Sequence, residues 1–273
     1  MGCFVRQFLG NRVDPRYMVL LFLLSFVVMG QQYLGFFQRW DQFLTAVFSS
    51  CLAEIALSRI VRKRWIFPLS ALITGMGISL LLSSHLVWPY ALTSIIAIGL
   101  KHFIRINGKH LFNPNNVAMS FMLFFLPQYA VSTPKQWTNG FEVMAIILLL
   151  GAIAAYAAKR LDTVIAFIAG FCVFAFVRIY VFGEPTLFAF GPMFGASFQL
   201  FTFFMITDPA TTPPTRRARI VFAILIALAD ASLRVAEITN SPFYSAFFVA
   251  LFIGLPYRIY RMKFADGSQI PQR

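Results

Sequence analysis

Between Lys101 and Pro127 the chain sets a dense group of polar residues beside long apolar runs. Lys101, His102, Arg105, Lys109 and His110 form a cationic patch, and Asn113-Pro114-Asn115-Asn116 opens the next apolar segment. Proline bars Asn113 from the helical region and presets the first turn of the helix after it. The amides thus stand at the mouth of a helix, where backbone N–H groups are already unpaired. In apolar surroundings such a cluster is costly unless it faces water, protein or a ligand. Thr207-Asp208-Pro209 ends another apolar segment, and Thr74 lies in the first turns of a third. With Asn113, Asn115 and Asn116 they are expected at one depth, as a binding cluster. The plainer alternative is that Asp208 and the asparagines cap helix ends and satisfy loop backbone.

A second group is charged and sits inside apolar sequence. Asp230 and Arg234 are four residues apart, and Glu54 has no sequence-local partner except the cations at 59–64. Glu54, Asp230 and Arg234 are the candidates for an ion path, which needs carboxylates and carbonyls lining a cavity. An Asp–Arg strut that avoids an isolated charge in hydrocarbon explains the pair equally well. Arg178 is expected to snorkel from a segment end, with Glu184 close in sequence. His85, His102 and His110 have no spacing that makes a haem pair, and His102 and His110 among cations suit anionic headgroups or a phosphate. No Ser-His-Asp set, Walker loop or zinc spacing occurs, so no catalytic residue and no metal site is assigned. Cys3, Cys51 and Cys172 are isolated and support no disulfide framework.

The elements that carry these residues follow from composition. The chain is 59% hydrophobic and 12% charged, with mean hydropathy +0.74; soluble domains carry roughly twice that charged fraction. Its 273 residues leave room for a single transmembrane domain over 1–273 and no added soluble domain. Ten apolar segments are read at about 17–36, 41–58, 66–83, 86–104, 114–131, 140–158, 163–183, 186–207, 218–236 and 242–260. With both termini in the cytoplasm, 19 of the 23 lysines and arginines fall on the inner side and only Arg39 and Lys135 on the outer. That split obeys the positive-inside rule, and Trp40, Trp65, Trp88 and Trp137 fall near span ends as interfacial anchors. Cation placement thus assigns the net charge of +13 to lipid, not to nucleic acid. The first apolar run lacks a small-residue cleavage site and is read as a retained span. Met1-Gly2-Cys3 is no myristoylation start, because Arg6 stands where Ser or Thr is needed.

An even count allows an all-α polytopic fold of two inverted five-helix repeats, about 17–131 and 140–260, with broken helices and short cytoplasmic tails. The third segment of each half begins at proline and small residues, Pro68-Leu-Ser-Ala and Pro192-Met-Phe-Gly, and the fifth at Asn113-Pro114 and Ser241-Pro242. Gly75 and Gly77 interrupt segment three, and Gly191, Pro192 and Gly195 interrupt segment eight. Paired interruptions mark either a midplane site or close packing of small residues.

Pro68-Leu-Ser-Ala-Leu-Ile-Thr-Gly75, the Phe112-Asn113-Pro114 turn, the run Phe203-Phe204-Met205-Ile206-Thr207-Asp208-Pro209-Ala210-Thr211-Thr212-Pro213 and Arg234 together resemble one family. They are similar to NqrB and RnfD, the membrane subunits of the sodium-pumping NADH:quinone oxidoreductase and the Rnf complex. The resemblance runs from about 66 to 256, and its length places the chain near compact relatives such as the UnbU-type proteins. It implies ten helices in inverted halves, partner subunits, and flavins that carry electrons across the cytoplasmic (inner) membrane. The family's covalent FMN sits on a threonine in a Ser/Thr-Gly-Ala-Thr motif. That motif is missing here; the corresponding loop offers only Ser132-Thr133-Pro134 and Thr138-Asn139-Gly140, so no covalent FMN is expected.

The leading expectation is an electron-transfer subunit that binds riboflavin or FMN noncovalently at Thr74, Asn113, Asn115, Asn116, Thr207 and Asp208, with Na+ or H+ coupling open. Amides and hydroxyls serve both edges of a flavin's pyrimidine ring, and phenylalanines cover its faces. The alternatives are a transporter or channel for a small polar solute on the same scaffold, and a non-redox assembly factor.

Overall fold

A computed structural model describes residues 15–32, 39–63, 65, 67–106, 109–110, 112–132, 141–209 and 211–262. Cys3, Arg6, Arg12, Arg64, Thr133, Lys135, Trp137, Thr138, Lys263 and Arg273 lie outside the described residues.

The fold is all-α. Helices α1 (Pro15–Gln32), α2 (Trp40–Arg62), α3 (Leu69–Leu81), α4 (Trp88–Phe103) and α5 (Pro114–Phe125) form the first half. The second holds α6 (Phe141–Ala157), α7 (Leu161–Phe182), the short α8 (Thr186–Phe190) and α9 (Ala196–Leu200), α10 (Arg216–Val235), α11 (Ser241–Val249) and α12 (Leu255–Tyr260). Three helical runs among the described residues are long and apolar enough to cross a membrane: Trp40–Val61, Leu161–Phe182 and Ser241–Tyr260. Arg16–Gln32, Leu69–Leu81 and Leu148–Ala157 are shorter apolar helices. With Leu52, Phe124, Tyr180, Val181 and Phe252 all at least 59% exposed, the outer wall is built for lipid.

Ten full-length helices are not what the chain builds. Helix α3 has 13 residues and α5 has 12, so each is only about 18–20 Å long, against a hydrocarbon core of about 30 Å. Extended chain follows, β1 (Leu82–Ser83) directly after α3 and β2 (Val131–Ser132) after a turn beyond α5, and the two pair antiparallel, Leu82 opposite Ser132. The remaining backbone groups there find side chains. Tyr90 donates to the Leu82 carbonyl at 3.1 Å and accepts from the Ser84 N–H at 3.3 Å, and Gln42 Nε2 donates to the Ser84 carbonyl at 2.7 Å. The eighth segment is broken as expected: a 3₁₀ turn at Gly191–Phe194, extended Gly195, then α9 and a π turn over Phe201–Met205. A second π turn, Ala250–Gly254, joins α11 to α12.

Gly75 and Gly77 do not break α3. A Cβ on Gly75 would lie 2.5 Å from Ser50 Oγ, 2.7 Å from the Ala46 carbonyl oxygen and 2.7 Å from Val47 Cα, so this glycine lets α3 lie directly on α2. Ser50 donates across the same contact to the Ala71 carbonyl at 2.9 Å. Small residues at helix crossings do this in membranes, where lipid removes the hydrophobic drive for association.

Packing follows a regular scheme: α2 lies on α3 and α4, α4 on α5, α7 on α8 and α10, and α10 on α11, while α1 packs on α6 and α5 on α11.

The two glycine environments give opposite mutational outcomes. Gly75→Ala forces backbone apart and should cost about 1–3 kcal/mol. At Gly99 of α4 an added Cβ meets nothing within 4 Å, so Gly99→Ala should stabilise by about 0.5–1 kcal/mol through helix propensity. Thermal unfolding in detergent, following the two transition temperatures against wild type, checks both signs.

Candidate functional site

The Asn-Pro-Asn-Asn turn is first of all a helix start. Asn113 is the N-cap of α5 in extended conformation, and its Oδ1 accepts from the N–H groups of Asn115 at 3.0 Å and Asn116 at 3.4 Å. Its Nδ2 donates to the Met205 carbonyl at 2.9 Å. That carbonyl sits in the π turn, where the wider ring takes backbone groups off the α-helical ladder. Asn113 therefore serves the protein at both ends of its amide, which favours the capping alternative for this residue. Asn116 turns away: its Nδ2 donates to the Phe243 carbonyl at 3.1 Å, joined there by Ser120 Oγ at 3.2 Å.

Asn115 is different. It is 3% exposed and its Nδ2 donates to the Thr74 carbonyl at 3.4 Å, while its Oδ1, like that of Asn116, has no partner among the described residues. It borders a cavity of about 340 Å³, which Thr74, Asn113, Thr207 and Asp208 also line. Five of the six expected binding residues thus meet, and Asn116 instead lines a separate pocket of about 30 Å³. The Thr74 hydroxyl donates to the Ser70 carbonyl at 2.9 Å and the Thr207 hydroxyl to the Phe203 carbonyl at 2.6 Å. Both therefore offer the cavity acceptor lone pairs. Phe203 and Phe204 of the π turn supply aromatic walls. Gly77 makes room for them: a Cβ there would lie 2.5 Å from Phe204 Cε1 and 2.8 Å from Asn115 Nδ2.

The remaining wall comes from Arg16 and Val19 of α1, Ala154 and Ala158 near the end of α6, Lys101 and His110. Sequence reasoning gave His102 and His110, among their cationic neighbours, to headgroups or a phosphate, and for His102 and the neighbouring Lys101 the structure corrects this. Both are 7% exposed, and Lys101 Nζ lies 2.6 Å from Glu54 Oε2, with His102 Nε2 3.4 Å from the same oxygen. A lone Glu inside an apolar helix demands a cation. That was the signal for this pair, but its spacing of 47 residues hid the partner. Burial, with Arg105 and Lys101 nearby, pushes the His110 imidazole down to about 4, so it is neutral at pH 7. Arg258 clamps the rim, donating to the carbonyls of His110 and Thr211, each at 2.6 Å. Arg160 Nε donates to Thr212 Oγ1 at 2.7 Å, and that hydroxyl donates to the Asp208 carbonyl at 2.9 Å.

The other charges gather at the opposite end. Asp230 is fully buried and accepts from Arg234 Nε at 2.8 Å and Ser241 Oγ at 2.6 Å. Arg178 does not snorkel: it is 2% exposed, reaches Glu184 at 2.8 Å and donates to the Ala189 carbonyl at 3.0 Å. Both guanidinium groups lie over Phe171, at 5.6 Å and 5.5 Å. Arg234, Glu184 and Glu237 border an open depression of about 580 Å³ there. Glu54 and Asp230–Arg234 thus belong to two separate clusters and line no common cavity.

Lipid-facing helices, interrupted segments and a cavity that sets polar side chains among apolar ones define a multi-pass membrane protein. The family model of the NQR2, RnfD, RnfE family matches residues 13–140 and 135–254. The chain belongs to that family, whose members are membrane subunits of multisubunit redox, ion-translocating complexes. The match also covers the first two segments, which lie before the 66–256 stretch that carried the resemblance. No curated protein matches the chain.

Asn113 separates capping from bridging. Asn113→Asp keeps the cap and loses the donation to Met205, whereas Asn113→Ala loses both. The alanine variant should lose about 1–3 kcal/mol and the aspartate variant less, read from thermal unfolding in detergent.

Proposed function

We propose that the chain is an electron-transfer subunit of a membrane redox complex and holds a noncovalent flavin, riboflavin or FMN, in the 340 Å³ cavity. The observation that carries this reading is the meeting of Thr74, Asn113, Asn115, Thr207 and Asp208 on one cavity walled by Phe203 and Phe204, with the buried Oδ1 of Asn115 unpartnered among the described residues. A buried acceptor left unmade costs about 1–3 kcal/mol, which a ligand donor reaching Asn115 Oδ1 would recover. The lining fits a flavin: an N–H of the ring can donate to Asn115 Oδ1, and ring carbonyl oxygens can accept from Lys101 or Arg16. The lone pairs of Thr74 and Thr207 and the Asp208 carboxylate are further acceptors. The cavity volume lies at the low end of ligand sites, about 300–1,000 Å³. A bound flavin supplies the redox chemistry, and the protein supplies binding, orientation and a dry setting. The missing Ser/Thr-Gly-Ala-Thr motif supports noncovalent attachment.

The same proposal gives ten membrane segments in two inverted halves of a cytoplasmic (inner) membrane protein, with both termini inside. The packing supports it: exchanging segment n with n+5 turns the contacts of α2 with α3 and α4 into those of α7 with α8 and α10, and α4–α5 into α10–α11. The α1–α6 and α5–α11 contacts map onto themselves.

Two experiments test this reading. Purified in mild detergent, the protein should show flavin absorbance or take up added riboflavin or FMN. Asn115→Leu and Thr207→Val should each weaken uptake roughly 5- to 150-fold, the equivalent of one buried hydrogen bond. Absence of any uptake by the wild type overturns the flavin. For topology, single cysteines at exposed His85 and Thr239 should react in intact cells with an impermeant maleimide, in a background without native cysteines. Cysteines at exposed Lys159 and Arg217 should react only after lysis. The reverse pattern overturns the orientation.

A further inference from the structure

Lys101 belongs to two structures at once: it closes a buried ion pair and it faces the cavity. The pair is dry, with the Lys101 and Glu54 side chains 8% and 6% exposed and the His102 ring 0%. Burying such a pair brings little stability, because desolvation offsets the attraction. An apolar pair of the same shape would hold α2 against α4 as well, so the charge calls for a use. The charged and titratable groups around the cavity are Arg16 of α1, Glu54 of α2, Lys101 and His102 of α4, His110 with neighbouring Arg105, and Asp208. Arg16 is exposed and screened by solvent, and His110 stays neutral at pH 7. Lys101 is the cation held at the wall away from water, where a unit charge acts at full strength.

We propose that Lys101, fixed by Glu54, is a positioning residue that makes the cavity hold the reduced form of its redox group more tightly than the oxidised form. This rests on the flavin reading of the cavity. Two electrons from a reduced donor and one proton from water leave a flavin with one more negative charge than before. The Lys101 ammonium attracts that charge, and the Glu54 carboxylate on its far side partly cancels the ammonium. Removing the cation and removing the carboxylate must therefore act in opposite directions, which a mere strut between α2 and α4 cannot produce.

The test uses the full chain in detergent with riboflavin as probe. The affinities of the oxidised and dithionite-reduced forms are compared, and the midpoint potential of the bound flavin is read by spectroelectrochemistry. Lys101→Gln should cut the preference for the reduced form at least tenfold, about 30 mV in potential for a two-electron couple. Glu54→Gln should raise that preference. If Lys101→Gln does not fold with Glu54 left unpaired, the double variant Glu54→Gln/Lys101→Gln removes both charges. Its preference should fall well below that of Glu54→Gln alone. Unchanged ratios in the lysine variants, or a shift of Glu54→Gln in the same direction as Lys101→Gln, overturn the inference and leave the flavin reading standing. A wild type that takes up neither form overturns both.

Discussion

Backbone groups inside hydrocarbon must find partners within the protein, each unmet one costing several kcal/mol, and the structure depends on how this chain meets that demand where its helices stop early. Helices α3 and α5 are too short to cross alone, and beyond α3 the carbonyls of Leu82 and Ser84 have no helix to serve them. Tyr90, Gln42 and the β1–β2 pair answer them. At the other ends, Asn113 caps α5 and Asn116 and Ser120 reach the Phe243 carbonyl. The polar residues of the third and fifth segments are thus mostly committed to main chain. Among the described residues the Oδ1 atoms of Asn115 and Asn116 stay uncommitted, and of the two only Asn115 borders the large cavity.

Charges obey the same rule. Glu54 meets Lys101, Asp162 meets Arg219 at 2.5 Å, Asp230 meets Arg234, and Arg178 meets Glu184. Each pair spares one ion an uncompensated place in low dielectric, where losing a partner costs about 3–5 kcal/mol. Two of the pairs join different long helices, α2 to α4 and α7 to α10. They fall on helix pairs that the twofold packing scheme relates to each other. Their places along the helices differ, however: the Glu54 pair lies in the C-terminal halves of its helices and the Asp162 pair near the N-terminal ends.

The cavity exists because interrupted segments converge on it. A continuous eighth helix would fill the space with its own side chains. The π turn at Phe201–Met205 instead sends Met205's carbonyl to Asn113, with Phe203 and Phe204 at the cavity wall. Gly77 removes the one side chain that would meet Phe204 and Asn115 there. The rim is held by Arg258 and Arg160, two cations that charge counting assigned only to the inner membrane surface.

Sequence alone determined the membrane class, the helical segments and the family motifs, because apolar length, proline placement and cation asymmetry are local properties that the bilayer enforces directly. It also marked Asn113 as a helix start, since an Asn-Pro cap involves only its own neighbours. Everything that joins distant segments was decided by the fold. Asn113 finds Met205 across 92 residues, Asn116 finds Phe243 across 127, and Lys101 finds Glu54 across 47. A chain apolar on both lipid-facing and buried sides carries little periodicity from which to read such pairings. Local pattern therefore placed Asn115 and Asn116 side by side as equals, and only tertiary packing turned one toward the cavity and spent the other on α11, because each amide goes to the backbone left unpaired within its reach.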